Sequence, residues 1–89
     1  MFRMWGKIFR SNRMLRDAVI EAGQPDFNRT RKVFYCLEEL CRGFDLSVPI
    51  WLDKNIKDFQ RVSKARFTQD SFIDSIDFDY LEIQVIEED

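Results

Sequence analysis

Eighty-nine residues, 45% of them apolar and 34% charged, with a net charge of −2, specify one folded domain over residues 1–89. That composition is too apolar for a disordered chain and lacks the overall basic charge typical of nucleic-acid binders. No apolar run approaches the ~20 residues of a membrane span, and Arg3, Lys7 and Arg10 interrupt the opening stretch where a signal peptide needs about 7–15 uninterrupted apolar residues; a cytoplasmic location is therefore expected.

The first ten residues, MFRMWGKIFR, fit two periods. On a helical wheel Met1, Phe2, Met4, Trp5, Ile8 and Phe9 share an arc; as a strand, Phe2, Met4 and Ile8 lie opposite Arg3, Trp5, Lys7 and Phe9. The next apolar run, Met14 to Ile20, follows directly after Ser11-Asn12. Asn tolerates positive φ, so the pair can form a short turn, and a hairpin is expected. A regular register places Phe9 opposite Met14, Ile8 opposite Leu15, Lys7 opposite Arg16 and Met4 opposite Val19. Opposed like charges cost a little unless an acid lies nearby.

Gly23 to Asp26 read as a connector, after which Asn28 or Thr30 can cap a helix. Val33, Phe34, Leu37, Leu40 and Cys41 carry its three-and-four spacing, and Gly43 is suited to the left-handed position that stops it. Ser47 to Leu52 are extended because Pro49 disfavours helical angles at Val48. Asp53 can cap a second helix through about Ser63 that buries Ile56, Phe59 and Val62. Thr68 can cap a short third helical turn with Phe72, Ile73 and Ile76. Leu81, Ile83 and Val85 then alternate with Tyr80, Glu82, Gln84 and Ile86, a strand with one buried face. Beside the hairpin it would bring Glu82 to Lys7 or Arg16.

The fold expected is α+β: a small antiparallel sheet of about three strands in the order β-β-α-α-β, with helices on one face. The expected core is Met4, Ile8, Leu15, Val19, Phe34, Leu37, Leu40, Ile56, Phe59, Leu81, Ile83 and Val85.

The chemistry is sparse. The chain has no His, so Ser–His and Cys–His nucleophiles are excluded within it. The three glycines stand far apart, without a phosphate-cradling pattern. Asp70, Asp74, Asp77 and Asp79 lack the spacing and the Gly of a calcium loop. Cys36 and Cys41, five residues apart on one helix, are about 7.5 Å apart by rise alone, too far for an undistorted disulfide. No catalytic residue, metal site, cofactor or small-molecule substrate is expected.

Charge is distributed unevenly. Residues 1–32 carry eight Lys/Arg against three Asp/Glu, and residues 67–89 carry eight acids and no base. Either the basic hairpin is a binding face, or the two ends lie side by side.

The stretches MFRMWGKIF, VFYCLEELC, FDLSVPIWLD and FDYLEIQVIEED together resemble a group of short, uncharacterised bacterial proteins of about this length. The resemblance implies a complete, stand-alone protein and carries no activity or site.

The functional expectation is a non-enzymatic protein-interaction module that binds a protein partner or itself. The expected surface comprises Arg3, Trp5, Lys7, Phe9, Arg13, Arg16, Trp51 and Tyr80. The alternative is RNA or single-stranded nucleic-acid binding through the basic hairpin, with phosphates neutralised by Arg and Lys and bases stacked on Trp5 and Phe9.

Overall fold

The computed structural model describes residues 1–88. Strands β1 (Phe2–Arg10) and β2 (Arg13–Ala22) are followed by helices α1 (Arg29–Phe44) and α2 (Asp53–Val62), strand β3 (Lys64–Phe67), a 3-10 turn (Gln69–Ser71) and strand β4 (Tyr80–Glu87). The architecture is α+β, with an antiparallel sheet in the order β2-β1-β4-β3. Both helices pack on one face. The sheet has four strands rather than three.

The extra strand is β3. Ser63 turns into the left-handed region (φ 55°) and ends α2. The next four residues alternate polar and apolar, with Ala65 and Phe67 buried. Four residues are too few for that alternation to stand out from the helical pattern before it.

Phe2–Arg10 are strand, and both Ser11 (φ 52°) and Asn12 (φ 65°) have positive φ. That is the type I′ geometry matching the twist of a two-residue hairpin. Phe9 pairs with Met14 as expected, but Ile8 pairs with Arg16 and Lys7 with Asp17. Leu15 is the extra residue of a β-bulge. Beyond it every side chain of β2 changes face relative to the regular register. Leu15 and Val19, expected in the core, are therefore exposed, while Ala18, Ile20 and Ala22 turn toward the helices.

Helix α1 starts where Asn28 Oδ1 accepts the Arg31 backbone N–H at 2.9 Å. It buries Val33, Cys36, Leu37, Leu40, Cys41 and Phe44. It ends two residues later than the glycine suggests. Gly43 stays helical, and Asp45 takes the left-handed conformation (φ 60°). The Asp45 N–H then bonds to Arg42 O at 3.3 Å and the Leu46 N–H to Cys41 O at 2.8 Å, the two bonds of a Schellman motif. Continuing through Gly43 places Phe44 in the core, which favours this stop over the one at glycine. Both cysteines are buried and unbonded to each other; burial pushes the Cys36 thiol up to about 11, with a contribution from Glu39, and Cys41 up to about 12.

On β1, Gly6 allows a close approach between sheet and helix. A Cβ there would lie 2.8 Å from both methyl carbons of Leu40, so the helix seats directly on strand backbone.

Helix α2 is rotated from the expected phase. It buries Asn55 and Phe59 and leaves Ile56 and Val62 exposed. The Asn55 side chain accepts the Leu52 N–H at 2.9 Å and donates to Arg66 O at 2.7 Å. Ser71 Oγ lies 3.4 Å from its Oδ1. One buried amide thus joins the start of α2, the edge strand and the 3-10 turn. That turn is shorter than expected: Phe72 is buried after it, whereas Ile73 is 87% exposed. Gln69 orders the loop by donating to Asp74 O and accepting from the Ile76 N–H, both at 2.8 Å. Among the described residues no helix is long and apolar enough to cross a membrane.

Two stability measurements check these joints. Gly6→Ala is expected to cost roughly 1–3 kcal/mol in urea denaturation by crowding Leu40, and less than that in a Leu40→Ala background. Equal costs in the two backgrounds would show that the contact does not limit the packing. Asn55→Ala is expected to cost about 2–4 kcal/mol because a helix-end N–H and a strand carbonyl lose their partner together; a cost below about 1 kcal/mol would show that water replaces the amide there.

Candidate functional site

The sheet face opposite the helices carries five of the eight residues expected to form an interaction surface. Arg3, Trp5, Lys7 and Phe9 alternate along β1, and Tyr80 pairs with Phe9 from β4. The aromatic side chains are half-buried because charged neighbours lie over them. Lys7 Nζ sits 3.8 Å from the centre of the Trp5 ring and donates to Glu82 Oε2 at 3.0 Å and Gln84 Oε1 at 3.1 Å. Glu82 Oε1 accepts from Arg66 Nε at 2.9 Å, and the Arg66 guanidinium lies over Tyr80, which stacks on Phe9. The Trp5 indole N–H donates to Asp17 Oδ2 at 2.9 Å.

Glu82 is therefore the centre of this face, 4% exposed although no layer of backbone covers it. Burial acts to raise its carboxyl pKa, but the bonds from Arg66 and Lys7 and the charges of Lys7 and Lys64 outweigh that and hold it below the usual glutamate value. Of the two partners expected for Glu82, Lys7 and Arg16, Lys7 is the one that pairs with it. The like-charge opposition of Lys7 and Arg16 is not, because the bulge puts Asp17 there instead.

The remaining three expected residues lie elsewhere. Arg13 stands at the hairpin end, opposite Arg10, with no ion pair among the described residues. Arg16 faces the helical side and donates to Phe44 O at 3.3 Å and Gly43 O at 3.2 Å. It supplies the cation that a helix C-terminus favours and is not part of the outer face. Trp51 belongs to the helical layer, with its ring edge-on to Phe34, Phe59 and Phe67.

Trp51 forms the floor of an apolar recess of 360 Å³ between the two helices. Val33 and Phe34 of α1 and Ile56 and Phe59 of α2 wall it, and Arg29 stands at its mouth. Phe34 and Ile56, both expected in the core, are 48% and 41% exposed. Each sits at the shoulder of its helix's apolar stripe; Phe34 is one step of about 100° past Val33. The Arg29 guanidinium lies over the Phe59 ring and donates to Glu88 Oε1 at 2.9 Å and Ser63 Oγ at 3.1 Å. On the far side of Phe34 a second recess of 240 Å³ is lined by Phe27, Arg31, Tyr35 and Glu38. Nothing in the sequence separated Phe34 and Ile56 from true core positions, since their spacing is that of the stripe itself.

Two aspartates of the last third tie the hairpin end to the chain, Asp79 through its side chain and Asp77 through its backbone. Asp79 Oδ2 accepts the Ser11 N–H at 2.8 Å, and Asp77 O accepts from Arg10. Among the described residues no three Cys, Asp or Glu side chains converge as metal ligands would. No protein-family model, curated protein or solved structure matches this chain.

The Glu82 network has a pH signature. A depressed carboxyl stabilises the fold fully above the unfolded glutamate pKa of about 4.3, and that stabilisation is lost as pH falls through the lower folded value. Glu82→Gln is expected to cost about 2–4 kcal/mol at neutral pH, because Lys7 keeps a buried charge without its partner, while the double change Lys7→Met with Glu82→Leu recovers most of the loss. The double variant should also unfold less steeply in acid than the parent. Wild-type urea stability in Glu82→Gln would mean that the network contributes nothing.

Proposed function

We propose that this chain is a small, non-enzymatic protein-interaction module of the cytosol, and that it docks an apolar segment of a partner in the groove between α1 and α2. The observation that carries this is the pair Phe34 and Ile56: two large apolar side chains on facing helices, exposed over a recess floored by Trp51. A small domain gains most by burying such residues, and clustered exposure at a concave site is characteristic of partner surfaces.

The outer sheet face is a weaker docking surface. Its Lys and Arg side chains are paired within the chain, and its aromatic rings lie beneath them. The same pairing weakens the nucleic-acid alternative. Arg3 is held by Glu21 and Glu87, Lys7 by Glu82, and Arg16 by helix carbonyls, so few basic side chains of the hairpin remain to neutralise phosphates.

A displayed random-peptide library selected on the whole protein tests the docking role. Enriched peptides are expected to lose binding to Phe34→Asp and to Ile56→Glu, two exposed positions at which circular dichroism is expected to show the parent fold, and to keep it with Met14→Ser on the β2 edge. Peptides that bind both groove variants as well as the parent would move the docking surface elsewhere.

A further inference from the structure

The charge around the groove identifies the kind of segment it takes. The first turn of α1 contains Arg29 and Arg31 and no acidic residue, although the positive end of a helix dipole favours acids there and disfavours cations. These two cations flank the apolar surface, one beside each recess. Arg29 already holds a carboxylate, that of Glu88, the residue after β4. The Arg31 guanidinium lies 4.1 Å from the centre of the Phe27 ring and makes no ion pair among the described residues. Glu38, the acid of the second recess, lies seven residues further along the helix, about 10 Å by rise, so positive charge is concentrated at the Arg29 end.

From this we propose that the groove selects an acidic amphipathic helix of a partner protein, with apolar anchors seated on either side of Phe34 and carboxylates taken by Arg29 and Arg31. The inference rests on the docking role proposed above. Two recesses sharing Phe34 as a wall suit side chains spaced along one segment better than a single compact molecule, and apolar anchors at i, i+3 and i+7 are the usual way a helix enters such a groove. Glu88 occupies the Arg29 position that a partner carboxylate would take, so the chain's own acidic end competes weakly with the partner. The pair is exposed and readily exchanged.

The test uses the full chain with Trp5→Phe, which leaves Trp51 as the only tryptophan and places the fluorophore on the groove floor. Two synthetic helix-forming peptides share Leu and Phe at i, i+3 and i+7; one carries Glu and the other Lys at the flanking polar positions. The Glu peptide is expected to bind saturably, shift Trp51 emission, and bind about tenfold more tightly than the Lys peptide at low salt, a preference that narrows as salt rises. Arg29→Glu with Arg31→Glu should reverse the preference, and Glu88→Gln should tighten the Glu peptide a few-fold. If both peptides bind equally, the acidic selection is wrong while the docking role stands. If neither changes Trp51 emission or peptide anisotropy, the groove does not dock a helix and both fail.

Discussion

One extra residue in β2 determines what each face of the sheet can do. In a regular hairpin Leu15 and Val19 would point at the helices, and Arg16 would oppose Lys7 on the outer face. The bulge at Leu15 reverses this. Arg16 now reaches the carbonyls at the end of α1, where its charge is favoured, and Asp17 moves beside Lys7 and Trp5. Two apolar side chains become exposed as a consequence. The exposure is offset by a satisfied helix terminus, an acid beside a lysine, and an irregular edge strand. A bulge and charged side chains both discourage another strand from pairing with β2.

The same economy explains the charge gradient along the chain. The basic first third and the acidic last third are neighbours in the sheet, since β4 lies directly against β1. Arg3 meets Glu87, Lys7 meets Glu82, and the Ser11 N–H meets Asp79. Exposed pairs of this kind contribute little individually; their larger effect is on register, because a slip of one residue would separate all of them and expose the apolar row. The Lys7–Glu82 pair, near-buried and joined from the exposed side by Arg66, differs in kind. Its members cost more to desolvate and are worth keeping only while all are bonded.

Long-period features were legible in the sequence, and local reversals were not. The first helix and the final strand follow from apolar spacing repeated over enough residues to outweigh noise, the hairpin from two apolar runs on either side of Ser11-Asn12, and the meeting of Lys7 with Glu82 from the opposed charges of the two ends. The bulge adds a single residue without Gly to mark it, and so it reversed the faces assigned to Leu15, Val19 and Arg16. Helix α2 was read from its apolar residues, yet its rotation follows from a polar one: Asn55 has three hydrogen-bonding opportunities in the interior, which no hydrophobic pattern reports. Asp45 displaced Gly43 from the left-handed position because burying Phe44 outweighs the modest strain of a non-glycine residue there. The groove was illegible for a related reason, since a residue at the shoulder of an apolar stripe has the same spacing whether a neighbour covers it or not.

The groove exists because a polar residue sets the rotation of α2. Turning α2 by one residue position would bring Ile56 inward and narrow the recess, but it would take Asn55 away from Leu52 and Arg66 and leave a part-buried N–H and a part-buried carbonyl without their partner. Two unsatisfied backbone groups cost about 1–3 kcal/mol each, at least as much as burying the rest of one half-exposed isoleucine returns. The amide that fixes the start of α2 therefore also holds Ile56 at the groove rim, opposite Phe34. The exposed apolar surface is a stable property of the packed fold. A partner helix would find its apolar site already formed, and little of its binding free energy would be spent on reshaping the domain.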